Sequence, residues 1–444
     1  MIDVKKLREN PEIFYKAAEN RYYGKEFIDR FFELDGKWRE NLKQINDLKH
    51  EKNMATGEIS KKIKENLDVE PIKENVRELN TRIESLEAEQ KNIEAERNLA
   101  VYAIPNLLHE TVPICKGDEN NRVVKTWGVA NVFRDDVAEY RNATENTARY
   151  IITEKKPMSH VDLADKLKLV DLERAGKVAG ARFYYLKNRL LKLEMALENF
   201  AVDFLSERGF SVVEPPFMLN YQSMSGATDM ETFKDTLYKI EGEDLYLIST
   251  SEHAIASMLR NEILEENELP LRIAGFSPCF RKEAGAHGKD TKGIFRVHQF
   301  NKIEQFIFCR EEDSWDYLEE LLRNSEEIFQ KLNIPYRVVN VCSGELGSLA
   351  AKKYDIEAWF GSQGKFREVV SASNDTDYQA RTLDIRYRTK DGNRTPHTLN
   401  STAIATTRVL VAIMENNQTE DGEGIIVPEA LVPYTGFDLI SADR

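Results

Sequence analysis

A chain of 444 residues, 41% of them hydrophobic, is long enough for two or three domains with substantial cores. The formal net charge of -14 argues against a protein that binds nucleic acid over its whole surface, although a local patch on an acidic protein can still hold RNA. The first ten residues, MIDVKKLREN, contain no apolar run, and no stretch approaches the roughly 20 apolar residues of a membrane helix. We therefore expect a cytoplasmic protein without a secretion signal.

The four cysteines, Cys115, Cys279, Cys309 and Cys342, lie far apart and form no CxxC pair. This spacing predicts the reduced thiols of a cytoplasmic protein rather than a disulfide framework or a zinc site. Cys279 and Cys309 flank a predicted strand pair and could meet in space. Buried thiols in a sheet are favoured there over a structural metal.

Residues 25 to 100 are rich in Lys, Glu, Asn and Gln and carry apolar residues at helical spacing. The second half of this segment has a heptad seam with steps of four and three residues, interrupted by polar Gln90 and Arg97. The seam consists of Ile72, Val76, Leu79, Ile83, Leu86, Gln90, Ile93 and Arg97. A break from Asn66 to Pro71 separates it from a similar stripe between Phe31 and Leu48, which predicts a long antiparallel helical hairpin, a coiled coil.

The hairpin, on the order of 50 Å long at 1.5 Å per residue, has little core of its own. We therefore expect it to contact another molecule. From these residues alone, a dimerisation or spacer coiled coil is favoured over an RNA-binding arm, because the segment has more acidic than basic residues.

The segment from Asn188 to Gly209 has the apolar pattern of a helix that glycine ends, and residues 210 to 217 predict a strand that ends at Pro215 and Pro216. The apolar surface of this helix–strand unit exceeds what one helix and one strand can bury against each other. A subunit interface would account for the excess.

Two alternating runs, Phe280 to Gly285 and Gly293 to Phe306, predict two strands joined by a mobile basic loop. Strand periodicity places Arg281 and Glu283 on one face. The second run offers polar and aromatic residues at the same period, namely Arg296, His298, Phe300, Lys302 and Glu304. Such a face suits a nucleoside triphosphate and a small zwitterion better than it suits a core.

A short strand near Tyr246 leads into Thr250-Ser251-Glu252 and a predicted helix. Thr250 or Ser251 followed by an acidic residue is typical of a helix N-cap, and for Ser251 alone this interpretation is favoured. Thr250 and Glu252 are alternatively placed to face a ligand ammonium group.

Glu368 and Ser371 lie at the end of an apolar strand that begins near Phe366. A carboxylate and a hydroxyl can hold Mg²⁺ on phosphates, because this ion takes few protein oxygens and keeps several waters. Taken alone, the pattern favours a turn at a strand end, capped by Asn and Asp, over a metal site.

Arg408 lies in an apolar helix that follows the small residues of the segment from Leu399 to Thr407. An arginine in such a helix is costly unless an anion pairs with it. A phosphate suits the guanidinium, and a buried Arg–Glu pair is the alternative.

Together these motifs resemble the seryl-tRNA synthetases, within the class II aminoacyl-tRNA synthetases, over the whole length of the chain. The helix, strand and double proline resemble the first motif of that class, FRKEAG…GIFRVHQF the second, and LNSTAIATTRVLVAIMEN the third. The segment FREVVSASNDTDYQAR, the Thr250 loop and the N-terminal arm are similar to the serine enzymes in particular. The resemblance implies an α+β fold, with an antiparallel β-sheet catalytic core flanked by helices and an N-terminal helical hairpin.

The implied domains are a tRNA-binding domain at residues 1–105, a connector at 106–175 and a catalytic domain at 176–444. The implied reaction activates L-serine with ATP to seryl-adenylate and transfers serine to tRNA(Ser), with tRNA(Sec) as a further candidate substrate. The implied assembly is a homodimer that uses Mg²⁺ and no zinc.

The resemblance also implies site roles, with Arg281 and Arg408 as catalytic residues that contact the α- and γ-phosphates. The implied ATP-binding residues are Arg281, Lys282, Glu283, Arg296, Val297, Phe300, Glu368, Val369, Val370, Ser371 and Arg408. The implied serine-binding residues are Thr250, Ser251, Glu252, Arg281, Glu304, Asn400 and Thr402. Glu368 and Ser371 would hold Mg²⁺ on ATP.

The chain departs from the commonest bacterial pattern at Ser401 and Thr407, where glycine is frequent, and this resembles the archaeal and eukaryotic pattern. We expect Ser401 to trim space near the serine pocket. Two alternatives remain, a ligase that passes a small amino acid to a carrier protein and a non-catalytic tRNA-binding paralogue. The arm argues against the first alternative, and the complete set of site residues argues against the second.

Overall fold

The computed structural model describes residues 1–230, 235–283, 290 and 292–442. The chain divides into two compact units, Met1–Leu107 and Leu108–Arg444. Within the described part of the chain, every helix is too short or too polar to cross a membrane.

The first unit is helical. Its elements are α1 (Val4–Glu9), α2 (Pro11–Asn20), α3 (Glu26–Lys64) and α4 (Glu70–Ala103). Pro71 lies in the first turn of α4, where its missing N–H has no helical partner to lose. Helices α3 and α4 fold back on each other, which confirms the predicted hairpin.

The two polar positions of the heptad seam are explained by contacts between α3 and α4. Gln90 donates a hydrogen bond to the carbonyl oxygen of Trp38 at 3.4 Å. The Arg97 guanidinium lies 4.5 Å from the centre of the Trp38 ring and 3.5 Å from the buried carboxylate of Asp35. Farther along the hairpin the seam is apolar, with Leu48, Leu79 and Ile83 in one cluster. Both polar positions of the seam are therefore paired across the hairpin, whereas the seam positions farther along it are apolar.

The second unit is built on an eight-stranded sheet within the described residues, in the order β1-β12-β13-β14-β17-β11-β10-β6. Neighbouring strands are antiparallel except β6 and β10. The strands of this sheet are β1 (Arg122–Trp127), β6 (Ser211–Val213), β10 (Leu271–Phe280), β11 (Gln299–Cys309), β12 (Tyr336–Asn340), β13 (Lys352–Phe360), β14 (Lys365–Thr376) and β17 (His397–Ala405). The α+β fold with an antiparallel sheet is thereby confirmed.

Smaller strand pairs and short helices surround this sheet. The remaining strands are β2 (Val129–Phe133), β3 (Arg149–Thr153), β4 (Val170–Asp171), β5 (Tyr185–Leu186), β7 (Met218–Leu219), β8 (Tyr246–Leu247), β9 (Ile263–Glu265), β15 (Arg386–Thr389), β16 (Gly392–Arg394), β18 (Gly424–Ile426) and β19 (Leu439–Ser441). The helices of this unit are α5 (Val137–Ala143), α6 (His160–Lys166), α7 (Leu172–Ala179), α8 (Asn188–Ser206), α9 (Tyr221–Ala227), α10 (Ser251–Ser257), α11 (Ser314–Lys331), α12 (Tyr378–Thr382), α13 (Thr406–Asn416) and α14 (Val432–Thr435).

One face of the large sheet packs against α8, α11 and α13 and forms the main hydrophobic core. Polar side chains on this face are satisfied by the helices. Gln305 on β11 donates to Ser325 on α11 at 3.0 Å, and Asn301 donates to Glu198 on α8 at 2.7 Å. Because strand residues alternate, the side chains between these positions point to the opposite face. That opposite face carries the candidate site.

The prediction of four reduced thiols is wrong for two of them. Cys115, in the connector, forms a disulfide with Cys342, which follows β12, across 227 residues of sequence. Spacing alone could not reveal this pair, because the fold brings the two segments together. Cys279 and Cys309 are free and buried, as expected, but they lie toward opposite ends of the β10–β11 pair and do not meet.

The two strands of the predicted second motif are displaced from their expected bounds. β10 ends at Phe280 and β11 begins at Gln299, so Arg281, Glu283, Arg296 and His298 lie beyond the regular ladder. Glu283 has a positive φ of 52°, which ends the strand periodicity there. Ala284, Gly285 and most of the predicted basic loop lie outside the described residues.

Candidate active site

A cavity of about 490 Å³ opens on the free face of the large sheet. Its wall contains most of the residues that the sequence predicted to bind ligands. These are Thr250, Glu252, Arg281, Glu283, Arg296, Phe300, Glu304, Glu368, Val369, Ser371, Asn400, Thr402 and Arg408. A second cavity, of about 410 Å³ beside α6, is lined by none of the predicted residues and by charges of both signs.

Four of the predicted residues lie outside the cavity wall. The side chains of Val297 and Val370 are buried in the main core, so only their backbone can face a ligand. Lys282 donates its backbone N–H to the Thr236 carbonyl at 2.9 Å. Ser251 is fully buried, and its hydroxyl donates to the Gly275 carbonyl at 3.3 Å.

Helix α10 begins with Thr250 at its N-cap, where the Thr250 hydroxyl accepts a hydrogen bond from the Glu252 N–H at 3.3 Å. Of the two residues proposed for capping, Thr250 has this role. The cap also places Thr250 and Glu252 together on the cavity wall. The capping interpretation and the binding interpretation of Thr250 are therefore compatible.

Arg281 is fixed in the cavity by protein contacts. Its guanidinium lies 5.2 Å from the centre of the Phe300 ring and donates to the Ser249 carbonyl at 3.3 Å. Its backbone N–H donates to the His298 carbonyl at 2.9 Å, which continues the pairing of β10 and β11 by one residue. The cation and the aromatic ring are thus held together on the cavity wall.

Glu283 and Arg296 form an ion pair at the cavity wall. The Glu283 side chain is nearly buried, whereas about a third of the Arg296 side chain is exposed. Arg296 therefore neutralises Glu283 in this state and keeps a part of its guanidinium accessible from the cavity.

Two carboxylates, Glu252 and Glu304, lie near each other on the cavity wall. Glu304 pairs with Lys302, and both side chains are buried. Glu252 accepts a hydrogen bond from Gln379 at 2.8 Å. Burial and the nearby Glu304 raise the pKa of Glu252, although Lys302 opposes this effect. An ammonium group is a favourable ligand here, because it would relieve the repulsion between the two carboxylates.

His253 is buried on the same wall, and its Nδ1 has no hydrogen-bond partner among the described residues. Burial, with Lys302 and Arg281 nearby, lowers the pKa of His253 to about 3. The imidazole is therefore neutral and adds no positive charge to the cavity wall near Glu252.

Glu368 and Arg408 meet across the cavity. Arg408 donates to the Glu368 carboxylate at 2.9 Å and to its backbone carbonyl at 3.2 Å. Burial opposes ionisation of Glu368, but Arg408 and Lys353 outweigh it and the pKa of the carboxyl lies below its ordinary value. The Arg–Glu pair that the sequence left as an alternative is thus present, yet about half of the Glu368 side chain is exposed and available to a ligand.

A bulge in β14 brings Glu368 and Ser371 to one face. In the pairing of β13 with β14, Ile356 lies opposite Val370 and Glu357 lies opposite Glu368, so Val369 is the extra residue. Without it, residues three apart in a strand would point to opposite faces. The carboxylate and the hydroxyl, both hard oxygen donors on the cavity wall, fit the small number of protein ligands that Mg²⁺ takes.

The serine that replaces glycine in the third motif does not trim the cavity. On β17, Asn400 and Thr402 face the cavity, and Ser401 between them faces α11. The Ser401 hydroxyl lies 3.1 Å from the Ser325 hydroxyl in the core. The expectation that Ser401 narrows the ligand pocket is therefore wrong, because strand alternation directs its side chain to the other face.

The sequence analysis missed one wall of the cavity, the loop from Leu346 to Ala350. Ser348 in this loop donates to Asp229 at 2.8 Å, which ties the loop to the segment after α9. The loop consists of small and apolar residues without a recognisable motif. Lys302, which the sequence placed on the same strand face as Phe300 and Glu304, also lines the cavity, and the unpredicted Lys353 does so from a strand position that alternation could have indicated.

Comparison with known proteins agrees with this geometry. Residues 233–417 match the family model described as the tRNA synthetase class II core domain (G, H, P, S and T). Residues 1–108 match the seryl-tRNA synthetase N-terminal domain. The antiparallel sheet with its polar cavity and the match to the core model define a class II aminoacyl-tRNA synthetase.

Relatives specify the class further. The chain is 65% identical over 443 residues to a serine–tRNA ligase of Picrophilus torridus, with 100% of both proteins covered. It is 64% identical over 440 residues to the serine–tRNA ligase of Thermoplasma acidophilum, with 99% of both covered. The chain belongs to the seryl-tRNA synthetase family, a family of ATP-dependent ligases.

Solved structures extend the similarity to the fold. A crystal structure of seryl-tRNA synthetase from Pyrococcus horikoshii complexed with ATP has a TM-score of 0.96 and 48% identity, with 100% of both chains covered. A cytoplasmic serine–tRNA ligase from Naegleria fowleri in complex with AMP has a TM-score of 0.86 and 38% identity, with 100% of this chain and 99% of that chain covered. The predicted family and fold are thereby confirmed.

Proposed function

We propose that this chain activates L-serine with ATP and transfers the seryl group to the 3′ end of tRNA(Ser). The observation that carries the proposal is the single cavity in which the cations Arg281 and Arg408 lie with the two carboxylates Glu252 and Glu304. The cations suit a triphosphate and the carboxylates suit the ammonium group of an amino acid. The family membership of the chain supports this assignment of the cations to the triphosphate and of the carboxylates to the amino acid.

In the activation step, a carboxylate oxygen of serine attacks the α-phosphorus of ATP. A new P–O bond forms to serine, the bond between the α-phosphorus and the bridging oxygen breaks, and diphosphate leaves with that oxygen. The reaction needs no protein nucleophile, so positioning and charge stabilisation carry the catalysis. Arg281, held over Phe300, would stabilise the negative charge that develops on the α-phosphate.

The adenosine end would be held between aromatic and cationic groups. Phe300 would stack on one face of the adenine, and Arg408 would cover the other face and contact the γ-phosphate. Glu283, with the backbone at Lys282 and Val297, would bind the edge of the base. Because Glu283 is paired with Arg296 without a ligand, nucleotide binding would release Arg296 toward the phosphates.

Glu368 and Ser371, with the backbone of Val369 and Val370 between them, would hold Mg²⁺ on the phosphates. The exposed part of the Glu368 carboxylate and the Ser371 hydroxyl at the cavity wall are the donor set that fits the ion. When bound, the ion would neutralise phosphate charge and orient the triphosphate.

The serine pocket would consist of Thr250, Glu252, Glu304, Asn400 and Thr402, with Arg281 near the carboxylate. We assign Ser251 a supporting role, because its hydroxyl is already bonded to Gly275. A pocket that binds the substrate hydroxyl by buried hydrogen bonds can reject analogues without it by up to ~10⁴–10⁵. Rejection of threonine depends on the extra methyl group, worth only about 1–3 kcal/mol.

The transfer step requires tRNA, and we propose that the hairpin of α3 and α4 binds it. The first unit, which contains the hairpin, matches the seryl-tRNA synthetase N-terminal domain, and this match favours RNA binding over a spacer. tRNA(Sec) is a second candidate substrate of the same reaction.

We also propose a homodimer formed through α8 and β6. Leu191 and Met195 on α8 are 42% and 53% exposed, and Val212 on β6 is 39% exposed. These apolar side chains lie in the helix–strand unit whose surface predicted a subunit interface.

Serine-dependent exchange of diphosphate into ATP, followed by aminoacylation of tRNA with each amino acid in turn, tests the proposal. We expect serine alone to support rapid exchange and charging. Faster exchange with glycine or alanine than with serine would favour the carrier-protein ligase. The absence of any exchange would favour the non-catalytic paralogue.

A further inference from the structure

Asp355 lies directly behind the proposed metal ligands. It is opposite Ser371 in the pairing of β13 with β14, and the Ser371 hydroxyl donates a hydrogen bond to its carboxylate. Ser371 lines the cavity, whereas Asp355 is 8% exposed and does not belong to the cavity wall. The carboxylate therefore lies behind the hydroxyl of Ser371, outside the cavity wall.

The direction of the Ser371 proton decides what this hydroxyl can bind. A serine hydroxyl binds a cation through an oxygen lone pair, so its proton has to point to an acceptor on the other side. Asp355 is that acceptor. With its proton held by the carboxylate, the Ser371 oxygen presents its lone pairs to the cavity.

Asp355 also lacks a cationic partner in direct contact. Among the described residues, no lysine, arginine or histidine forms an ion pair with it. Two residues along the same strand, Glu357 is paired with Arg337 at 2.6 Å. Lys353, on the same strand, opposes the cost of burying this carboxylate without forming an ion pair with it, and a cation held by Ser371 would offset that cost further.

We propose that Asp355 is a positioning residue for the divalent cation: it orients the Ser371 hydroxyl toward the metal and supplies the negative charge behind it. The inference rests on the proposed function, in which Glu368 and Ser371 hold Mg²⁺ on ATP. Partners of metal ligands in other proteins typically change metal affinity 10–100-fold when they are mutated.

The test is equilibrium binding in the absence of serine, so that no reaction occurs. The affinity for ATP is measured by calorimetry with Mg²⁺ and with EDTA, and Mn²⁺ binding to the ATP complex is measured by electron paramagnetic resonance. The variants are Asp355→Ala, Asp355→Asn, Ser371→Ala and the double variant Asp355→Ala/Ser371→Ala. Glu357→Gln is the matched control, because it removes a carboxylate from the same face of the same strand.

We expect Asp355→Ala to weaken Mn²⁺ binding by about 10-fold or more and to leave the affinity for ATP in EDTA unchanged. Asp355→Asn, whose amide oxygen still accepts the Ser371 proton, should lose less Mn²⁺ affinity than Asp355→Ala. The double variant should bind Mn²⁺ no more weakly than Ser371→Ala does, because both changes disable the same hydroxyl. The control should keep wild-type Mn²⁺ affinity.

Three results would overturn the inference. The first is unchanged Mn²⁺ affinity in both Asp355 variants, and the second is an equal loss of ATP affinity by Asp355→Ala in EDTA. The third is a loss of Mn²⁺ affinity in the Glu357→Gln control as large as that in Asp355→Ala. The first result, together with a loss in Ser371→Ala and Glu368→Gln, would leave the proposed metal site intact. Wild-type ATP binding that is indifferent to metal would instead contradict the proposed metal site itself. Asp355→Asn keeps the test decisive if Asp355→Ala does not fold.

Discussion

Arg281 keeps its place in the cavity without a ligand. The Ser249 carbonyl accepts from its side chain, the Phe300 ring lies beneath the guanidinium, and the backbone is paired with His298. A cation that is already oriented stabilises developing charge without reorganisation during the reaction. We therefore propose that this pre-orientation is the main contribution of Arg281 to catalysis.

We expect Arg281→Ala to reduce serine-dependent diphosphate exchange by at least about 10²–10³-fold, the range seen when one stabilising donor is removed from an active site. The melting temperature should stay close to wild type, because the side chain faces the cavity. Arg388→Ala, which removes an exposed arginine paired with Glu265, is the control and should exchange normally. Near-normal exchange by Arg281→Ala would remove this residue from the α-phosphate.

The affinity for serine should depend on pH through Glu252. Burial and the nearby Glu304 raise the pKa of this carboxyl to about 7. The ammonium group of serine requires the ionised form, so protons compete with serine increasingly as the pH falls through 7. Calorimetry should show the Kd for serine rising by up to about tenfold per pH unit below that point.

The same raised pKa makes the folded state bind this proton more tightly than the unfolded state does. The resulting stabilisation is complete below the ordinary carboxyl range and disappears as the pH rises through about 7. Falling serine affinity in acid therefore cannot be ascribed to loss of stability from Glu252. A serine Kd that is constant between pH 6 and 8 would contradict the assignment of Glu252 to the ammonium group.

Two features of the strands bring the site residues together, the regular alternation of side chains and one bulge. Alternation places Asn400 and Thr402 of β17 on the cavity face, and the bulge at Val369 adds Glu368 to the face of Ser371. A bulge belongs to a strand pair, not to one strand. The combination of these two residues in the proposed metal site therefore depends on how β13 pairs with β14.

The arm should be separable from the catalytic chemistry. Residues 28 to 97 comprise most of α3 and α4 with the turn between them and belong to the first compact unit, whereas every residue of the cavity wall belongs to the second. We expect a variant in which a short linker replaces residues 28 to 97 to retain diphosphate exchange and to lose tRNA charging. Parallel assays of both steps on one preparation provide the comparison. Loss of both steps would mean that the catalytic unit requires the arm for its structure.

Local pattern predicted the arm and most of the site, because charged groups on strands and a heptad seam are visible in the sequence itself. The orientation of Ser401 was predictable, because in a strand with Asn400 and Thr402 on the cavity face the residue between them points to the opposite face. Long-range contacts were beyond this reasoning. The Cys115–Cys342 disulfide and the wall formed by residues 346 to 350 depend on segments that only the folded chain brings together.

For the whole molecule, the exposed apolar surface of α8 and β6 predicts assembly. We expect Met195→Glu to convert the proposed dimer to a monomer, because it places a charge on a 53% exposed apolar position of the proposed interface. Light scattering coupled to size-exclusion chromatography measures the mass. Lys192→Glu, on the same helix, is the control for surface charge. A dimer that survives Met195→Glu would place the interface elsewhere.

The most direct test of the proposed function is a crystal structure with a non-hydrolysable analogue of seryl-adenylate. We expect the phosphate mimic beside Arg281, the base against Phe300 and the ammonium group between Glu252 and Glu304. An analogue that binds elsewhere while this cavity stays empty would contradict the proposal.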